Sequence, residues 1–111
     1  MKVPSLNQTE IHILIALAPK ELYGLEIIER VKKISEGEVI LSLGGLYTTL
    51  RRMETKGLIA GRWGESTEVR QGARRRYYKT TGLGARALEE ATSVLKSALR
   101  HCPVLRCAGA P

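Results

Sequence analysis

The stretch Ser42-Leu43-Gly44-Gly45-Leu46-Tyr47-Thr48-Thr49-Leu50-Arg51-Arg52-Met53-Glu54-Thr55-Lys56-Gly57, followed at once by Leu58-Ile59-Ala60-Gly61-Arg62-Trp63, is where the hydrophobic period of the chain changes. At about 100° per residue, Leu46, Leu50 and Met53 cluster on one side with Leu43 beside them. Gly44, Thr48, Arg51, Arg52 and Thr55 fall on the opposite side. Ser42 is a favourable N-cap and Gly57 a favourable C-terminal cap, so a helix is expected between them. Past Gly57 the helical spacing stops. Residues 58–63 read as a strand, and Arg75-Arg76-Tyr77-Tyr78-Lys79 as its antiparallel partner. The polar, basic connection from Gly64 to Arg74 is long for a hairpin, and long connections more often bind something than fill space.

On the N-terminal side, Ser5-Leu6-Asn7-Gln8 fits a capping box with Ser5 as N-cap. The helix it opens runs to about Ala18, because Pro19 disfavours continuation. Its apolar residues occupy more than one face, so it should be buried on several sides. A second helix spans Tyr23 to Ile34, with Leu25, Ile27, Ile28, Val31 and Ile34 as its apolar stripe. Val39-Ile40-Leu41 is a short β-branched run, read as a small strand. Towards the C-terminus, Thr80 or Thr81 caps a last helix reaching about Arg100. Its apolar stripe is wider than packing on one core requires. We therefore expect a dimer interface of Ile11, Ile15, Leu88, Ala91, Leu95, Ala98 and Leu99.

The order helix, helix, helix, hairpin, helix defines a mainly α fold with a small β-hairpin. It corresponds to a winged helix-turn-helix over residues 1–80, a C-terminal dimerisation helix over 81–100 and a flexible tail over 101–111. A chain of 111 residues suits one such unit. No apolar run approaches the ~20 residues of a membrane span, and the N-terminus lacks the apolar core of a signal peptide, so a cytoplasmic protein is expected.

The net charge of +7 is concentrated. Residues 51–79 hold nine basic groups against three acidic ones, which leaves +1 for the other 82 residues. A cationic patch of this kind suits a polyanion, because neutralised phosphates release condensed counterions. On the polar face of the 42–57 helix, arginine forks and short hydroxyl side chains have the donors and the methyl groups that major-groove base edges accept. Gly44 and Gly45 lie in the first turn against helix propensity. They either permit close backbone approach to a phosphate or relieve crowding at a tight turn. Tyr47, at the edge of that face, either completes the core or reaches a phosphate with its hydroxyl. The resulting DNA-binding set is Ser42, Gly44, Gly45, Tyr47, Thr48, Arg51 and Arg52, with the hairpin arginines Arg70, Arg74 and Arg75 adding affinity more than specificity.

Several of these residues carry a family resemblance. Leu22-Tyr23-Gly24-Leu25-Glu26-Ile27-Ile28, Gly45-Leu46-Tyr47, Leu50-Arg51-Arg52-Met53-Glu54, Gly57-Leu58-Ile59, Trp63 and the run from Gly72 to Tyr78 resemble the PadR family of transcriptional regulators. The resemblance covers roughly residues 6 to 100. It implies a winged helix-turn-helix whose C-terminal helix pairs two subunits, most often as a repressor on a near-palindromic double-stranded DNA operator. Three positions depart from the family pattern: Gly45 and Thr48 flank the Leu-Tyr pair in place of a hydroxyl residue and a proline, and Thr80 stands where leucine is usual. Short relatives that bind flat drugs do so between aromatic side chains at the dimer interface. The last helix here has no aromatic residue, so no effector ligand is implied.

Other chemistry has little support. The chain contains no aspartate, no Ser/His/acid set with usable spacing and no phosphate-binding glycine loop, so no enzyme activity is expected. His101, Cys102 and Cys107 are one ligand short of a tetrahedral zinc site, and no metal or other cofactor is expected. His12 reads as a partly buried packing residue. Two alternatives remain: a winged-helix module whose basic face binds an acidic protein, and a redox-responsive regulator using Cys102 and Cys107.

Overall fold

The computed structural model describes residues 3–65 and 74–102. Seven elements follow in order: α1 (Gln8–Leu17), β1 (Leu22–Tyr23), α2 (Gly24–Ile34), α3 (Leu43–Thr55), β2 (Ile59–Trp63), β3 (Arg76–Thr80) and α4 (Gly82–Leu99). The strands form one antiparallel sheet in the order β1-β3-β2, with Leu22 opposite Tyr78 and Trp63 opposite Arg76. This is a mainly helical winged-helix arrangement with a small sheet. Among the described residues, no helix is long and apolar enough to cross a membrane.

One core holds the helices to the sheet. Ile13, Leu14 and Leu17 of α1, Ile27 and Val31 of α2, and Leu46, Leu50 and Met53 of α3 are buried together with Leu58, Ile59 and Tyr78. Burying each such side chain contributes about 1.5–3 kcal/mol against the conformational entropy of ordering it. Ala87 of α4 joins this core, with Leu83 and Leu88 packed at its margin.

The caps show how local chemistry sets the boundaries. Ser42 Oγ accepts from the Gly45 amide at 3.1 Å, and Thr81 Oγ1 from the Gly84 amide at 3.1 Å. Gly57 takes φ +80° just past α3, where a side chain would be strained. Gly84 is required by close approach, since a Cβ there would lie 2.1 Å from the Leu58 carbonyl oxygen. That contact lets the start of α4 dock onto the α3–β2 junction.

Three sequence expectations are corrected. The cap of α1 is Asn7, not Ser5: Asn7 Oδ1 accepts from the Glu10 amide at 2.8 Å while Glu10 Oε1 accepts from the Asn7 amide at 2.9 Å. Glu10 is favoured as the reciprocal partner because its other oxygen meets Lys56 Nζ at 3.3 Å, fastening α1 to the end of α3. Val39-Ile40-Leu41 is not a strand. Its backbone instead follows α2 closely, with the Val39 amide donating to Ser35 Oγ at 2.9 Å. The third strand is Leu22–Tyr23, immediately before α2, where β3 offers a free edge. Finally, Leu25 and Leu43 are exposed, at 58% and 46%, rather than buried in their helices' apolar faces.

Candidate nucleic-acid interface

Helix α3 presents Gly44, Thr48, Arg51, Arg52 and Thr55 on one exposed face, opposite the buried Leu46, Leu50 and Met53. Arg51 and Arg52 make no side-chain hydrogen bond or ion pair with the described residues, so both guanidinium forks remain available. Thr48 Oγ1 donates to the Gly44 carbonyl at 3.2 Å and Thr55 Oγ1 to the Arg51 carbonyl at 3.0 Å. With its proton committed to the helix, Thr48 offers outward a methyl group and acceptor lone pairs.

The two first-turn glycines differ in their surroundings. A Cβ on Gly45 would stand 3.0 Å from Ser42 Oγ, so this glycine makes room for the N-cap. A Cβ on Gly44 would meet nothing within 4 Å. Crowding therefore explains Gly45 and does not explain Gly44. Because Ser42 takes the Gly45 amide, the amides of Leu43 and Gly44 keep outward-facing donors at the positive end of the helix.

Tyr47 is 42% exposed, with its ring laid across the start of α2. A Cβ on Gly24 would come within 2.6 Å of the Tyr47 hydroxyl, so the tyrosine fits because residue 24 is glycine. It neither enters the core nor stands clear of the surface; it bridges α2 and α3.

The sheet divides the arginines of the wing among different tasks. On one face, Tyr23 and Tyr77 meet edge-to-face at 5.7 Å. Arg62 lies 4.8 Å from the Tyr77 ring and Arg75 lies 4.4 Å from the Tyr23 ring. Arg62 also holds Glu21, its Nε within 3.0 Å of the carboxylate, and this hydrogen bond keeps the Glu21 carboxyl below its ordinary pKa. On the other face, Arg76 pairs with Glu54 of α3 at 3.1 Å and stacks near Trp63 at 5.1 Å. Arg74 donates from Nε and Nη2 to the Gly64 carbonyl at 3.1 and 2.8 Å, closing the base of the hairpin. A carbonyl does not neutralise it, so Arg74 stays cationic toward an external ligand, whereas Arg76 is compensated by Glu54. Burial, reinforced by Glu54, raises the Tyr78 hydroxyl pKa above its usual value. Arg70 lies outside the described residues.

A groove of about 490 Å³ joins these parts. Tyr47 and Leu43 of α3, Leu25 of α2, Trp63 of β2, and Arg74 and Arg75 line it. Sequence reasoning missed Leu25, Leu43 and Trp63 as surface groups. For Leu25 the signal was present: at about 100° per residue it lies opposite Ile27 and Ile34. Leu43 has the core-facing angle, but it sits in the first turn, beyond the end of the core.

The residues expected at a dimer contact lie on α1 and α4. Ile15 is 40% exposed, Leu95 55% and Leu99 47%, and Ala98 is exposed beside them. Ile11, Ala91 and Leu95 line an apolar groove of about 350 Å³ with Val3, Pro4 and Leu6. Leu88 is half-buried against the chain's own core. Cys102 is a half-buried free thiol and Cys107 lies outside the described residues. His12 is half-buried, its Nδ1 2.8 Å from the Gln8 carbonyl. Among the described residues no three His, Cys, Asp or Glu side chains converge as a metal site would require.

Residues 13–90 match the model of the transcriptional regulator PadR-like family. A PadR-like transcription factor from Bacteroides fragilis is 33% identical with a TM-score of 0.71, over 84% of each chain. A PadR family transcription regulator from Clostridium difficile R20291 is 30% identical with a TM-score of 0.69, over 94% of this chain and 100% of that one. The fold is also that of Bacillus subtilis PadR solved in complex with operator DNA, at 20% identity and a TM-score of 0.66, over 76% of this chain and 46% of that one.

Proposed function

Since the chain belongs to the PadR-like family of transcriptional regulators, we propose that it binds double-stranded DNA sequence-specifically as a homodimeric repressor. The observation that carries this reading is the exposed face of α3, where Arg51 and Arg52 have no partner among the described residues and Gly44 has no packing reason to be glycine. The first turn of α3 enters a major groove. Arg51, Arg52 and Thr48 read base edges there, and the Leu43 and Gly44 amides meet a phosphate. Arg74 and Arg75 lie on the neighbouring backbone and supply affinity without sequence information. The fold shared with a PadR solved in complex with operator DNA supports duplex DNA as the ligand.

Dimerisation supplies the second recognition helix. The exposed Ile15, Leu95 and Leu99 form an apolar surface that a second copy covers. Two recognition helices about one helical turn apart then select a near-palindromic operator. Occupancy of a promoter by the dimer excludes polymerase, which makes the regulator a repressor.

Selection from random duplexes tests the reading, followed by binding of wild type and variants to the selected site. Arg51→Ala should cost about 1–3 kcal/mol and relax specificity at one base pair. Arg74→Ala should weaken selected and random duplexes alike and flatten the salt dependence. Failure of the wild type to enrich any sequence rejects the proposal. Tighter binding to an acidic polypeptide than to duplex would reassign the basic face to a protein partner.

A further inference from the structure

Side chains along a strand alternate between the two faces of a sheet. Ile59, Gly61 and Trp63 of β2 therefore share one face with Arg76 and Tyr78 of β3, Trp63 opposite Arg76 and Gly61 opposite Tyr78. Burial fades along β2, from the buried Ile59 to the exposed Trp63. The core thus anchors the start of the hairpin and not its outer half. On this face the outer half is tied down by Arg76, which turns back across β2. Its guanidinium lies over Gly61, where a Cβ would stand 2.8 Å from Nη2 and 2.9 Å from Cζ and Nε. The same guanidinium is 5.1 Å from the Trp63 ring centre and 5.7 Å from that of Tyr78. Its Nη2 donates to Glu54 Oε2 at 3.1 Å, and Glu54 belongs to the last turns of α3.

We propose that Gly61, Arg76 and Glu54 form a clamp that fixes the angle of the β2–β3 hairpin to α3, with Arg76 a positioning residue for duplex binding and not a phosphate contact. Residue 61 is glycine because the guanidinium fills the space a side chain would take. The clamp rests on the duplex-binding reading and adds geometry to it: α3 and the hairpin engage one duplex together only at a matching relative angle. The Arg76 and Glu54 side chains are 28% and 30% exposed, so their ion pair adds little to global stability. Its effect is on orientation. A freed hairpin lowers the fraction of molecules able to make both contacts, and apparent affinity falls with that fraction.

Three substitutions break the clamp in different ways. Glu54→Ala removes the acceptor and Arg76→Met the donor. Gly61→Ala leaves every charge in place and displaces the guanidinium with a methyl group. The displaced atoms are the far end of a flexible side chain, and alanine suits a strand interior better than glycine, so the fold should tolerate the change. Each variant should melt within a few degrees of wild type and bind a selected duplex about 3- to 10-fold more weakly. The salt slope should stay unchanged in Arg76→Met and Gly61→Ala. Trp63 is the sole tryptophan, and its emission in the free protein should shift once the guanidinium leaves it. The sign of the Glu54→Ala effect is diagnostic: charge alone would tighten binding to DNA, whereas loss of the clamp weakens it. Glu54→Ala and Gly61→Ala combined should bind no more weakly than the weaker single variant, because both break one contact. Tighter binding by Glu54→Ala, wild-type binding by Gly61→Ala, or losses that multiply in the double variant overturns the clamp. So does a salt slope lower by about 1 in Arg76→Met, which would make Arg76 a phosphate contact. Unchanged Trp63 emission in both Glu54→Ala and Gly61→Ala refutes it before any DNA is added. A wild type that enriches no duplex rejects the duplex-binding reading instead, a result separable from the emission of Trp63.

Discussion

Replacing Gly44 with alanine separates the needs of the fold from the needs of binding. Gly44 is the second residue of α3, and a Cβ built there meets nothing within 4 Å, so alanine introduces no clash. Glycine costs a helix about 0.5–1 kcal/mol relative to alanine, mostly through the freedom it loses on folding. Gly44→Ala should therefore stabilise the protein by up to about 1 kcal/mol, a rise of roughly 2–8 °C in melting temperature at fixed protein concentration. Gly45→Ala is the internal control. Its Cβ would stand 3.0 Å from Ser42 Oγ, whose hydrogen bond to the Gly45 amide caps the helix. The propensity gain is offset there by a disturbed cap, itself worth about 1 kcal/mol, so the net change should be near zero or negative. On DNA the ordering changes. If the first turn of α3 lies against a phosphate or base edge, a methyl group on residue 44 overpacks the contact and weakens binding roughly 5- to 100-fold. Thermal denaturation and fluorescence anisotropy on a selected duplex measure the two effects on one sample. A stabilised Gly44→Ala protein that binds like wild type would refute the close approach, and a destabilised one would refute the free space around residue 44.

Three further outcomes follow from particular contacts. Thr80 Oγ1 is buried without a hydrogen-bond partner among the described residues, while its methyl group packs against the Gly84 backbone. Thr80→Val keeps the methyl and removes the unpaired hydroxyl, so urea denaturation should show a gain of about 1 kcal/mol; a loss would mean that the hydroxyl has a partner. Because burial raises the Tyr78 pKa above 10.0, the folded state retains that proton longer than the unfolded state as pH rises. Its contribution is fully present below pH 10 and declines as the pH passes through the raised value, so Tyr78→Phe should flatten the alkaline limb of the stability profile. Leu95→Glu places a charge in the exposed apolar surface of α4 and should convert the species seen by light scattering from dimer to monomer. A wild-type protein already monomeric at micromolar concentration would remove the basis for a palindromic operator.

Parts of the fold and of the site were legible in the sequence because they depend on neighbours three or four residues away. The buried side of α3, its Ser42 cap and its Gly57 terminus all follow from local spacing and local hydrogen bonds, and the cap of α4 was narrowed to Thr80 or Thr81, of which Thr81 holds the position. The antiparallel pairing of the runs that form β2 and β3 and the concentration of charge in residues 51–79 were equally visible.

What escaped the sequence depends on partners distant along the chain. Val39-Ile40-Leu41 has the composition of a strand, but a strand exists only where a free edge accepts it. The edge of β3 was taken by Leu22–Tyr23. Asn7 displaced Ser5 as a cap because the capping glutamate also reaches Lys56, 46 residues away. The consecutive Arg74, Arg75 and Arg76 are indistinguishable as a string, yet the hairpin base, the Tyr23 ring and Glu54 give them three separate positions. By itself, then, the sequence determined which helix face is buried and where the cations lie, since periodicity and composition are properties of the chain. Tertiary structure decided which cations remain uncompensated, which glycine is free of packing, and which apolar side chains line a groove instead of the core. Those properties depend on pairing and burial, which exist only once distant segments have met.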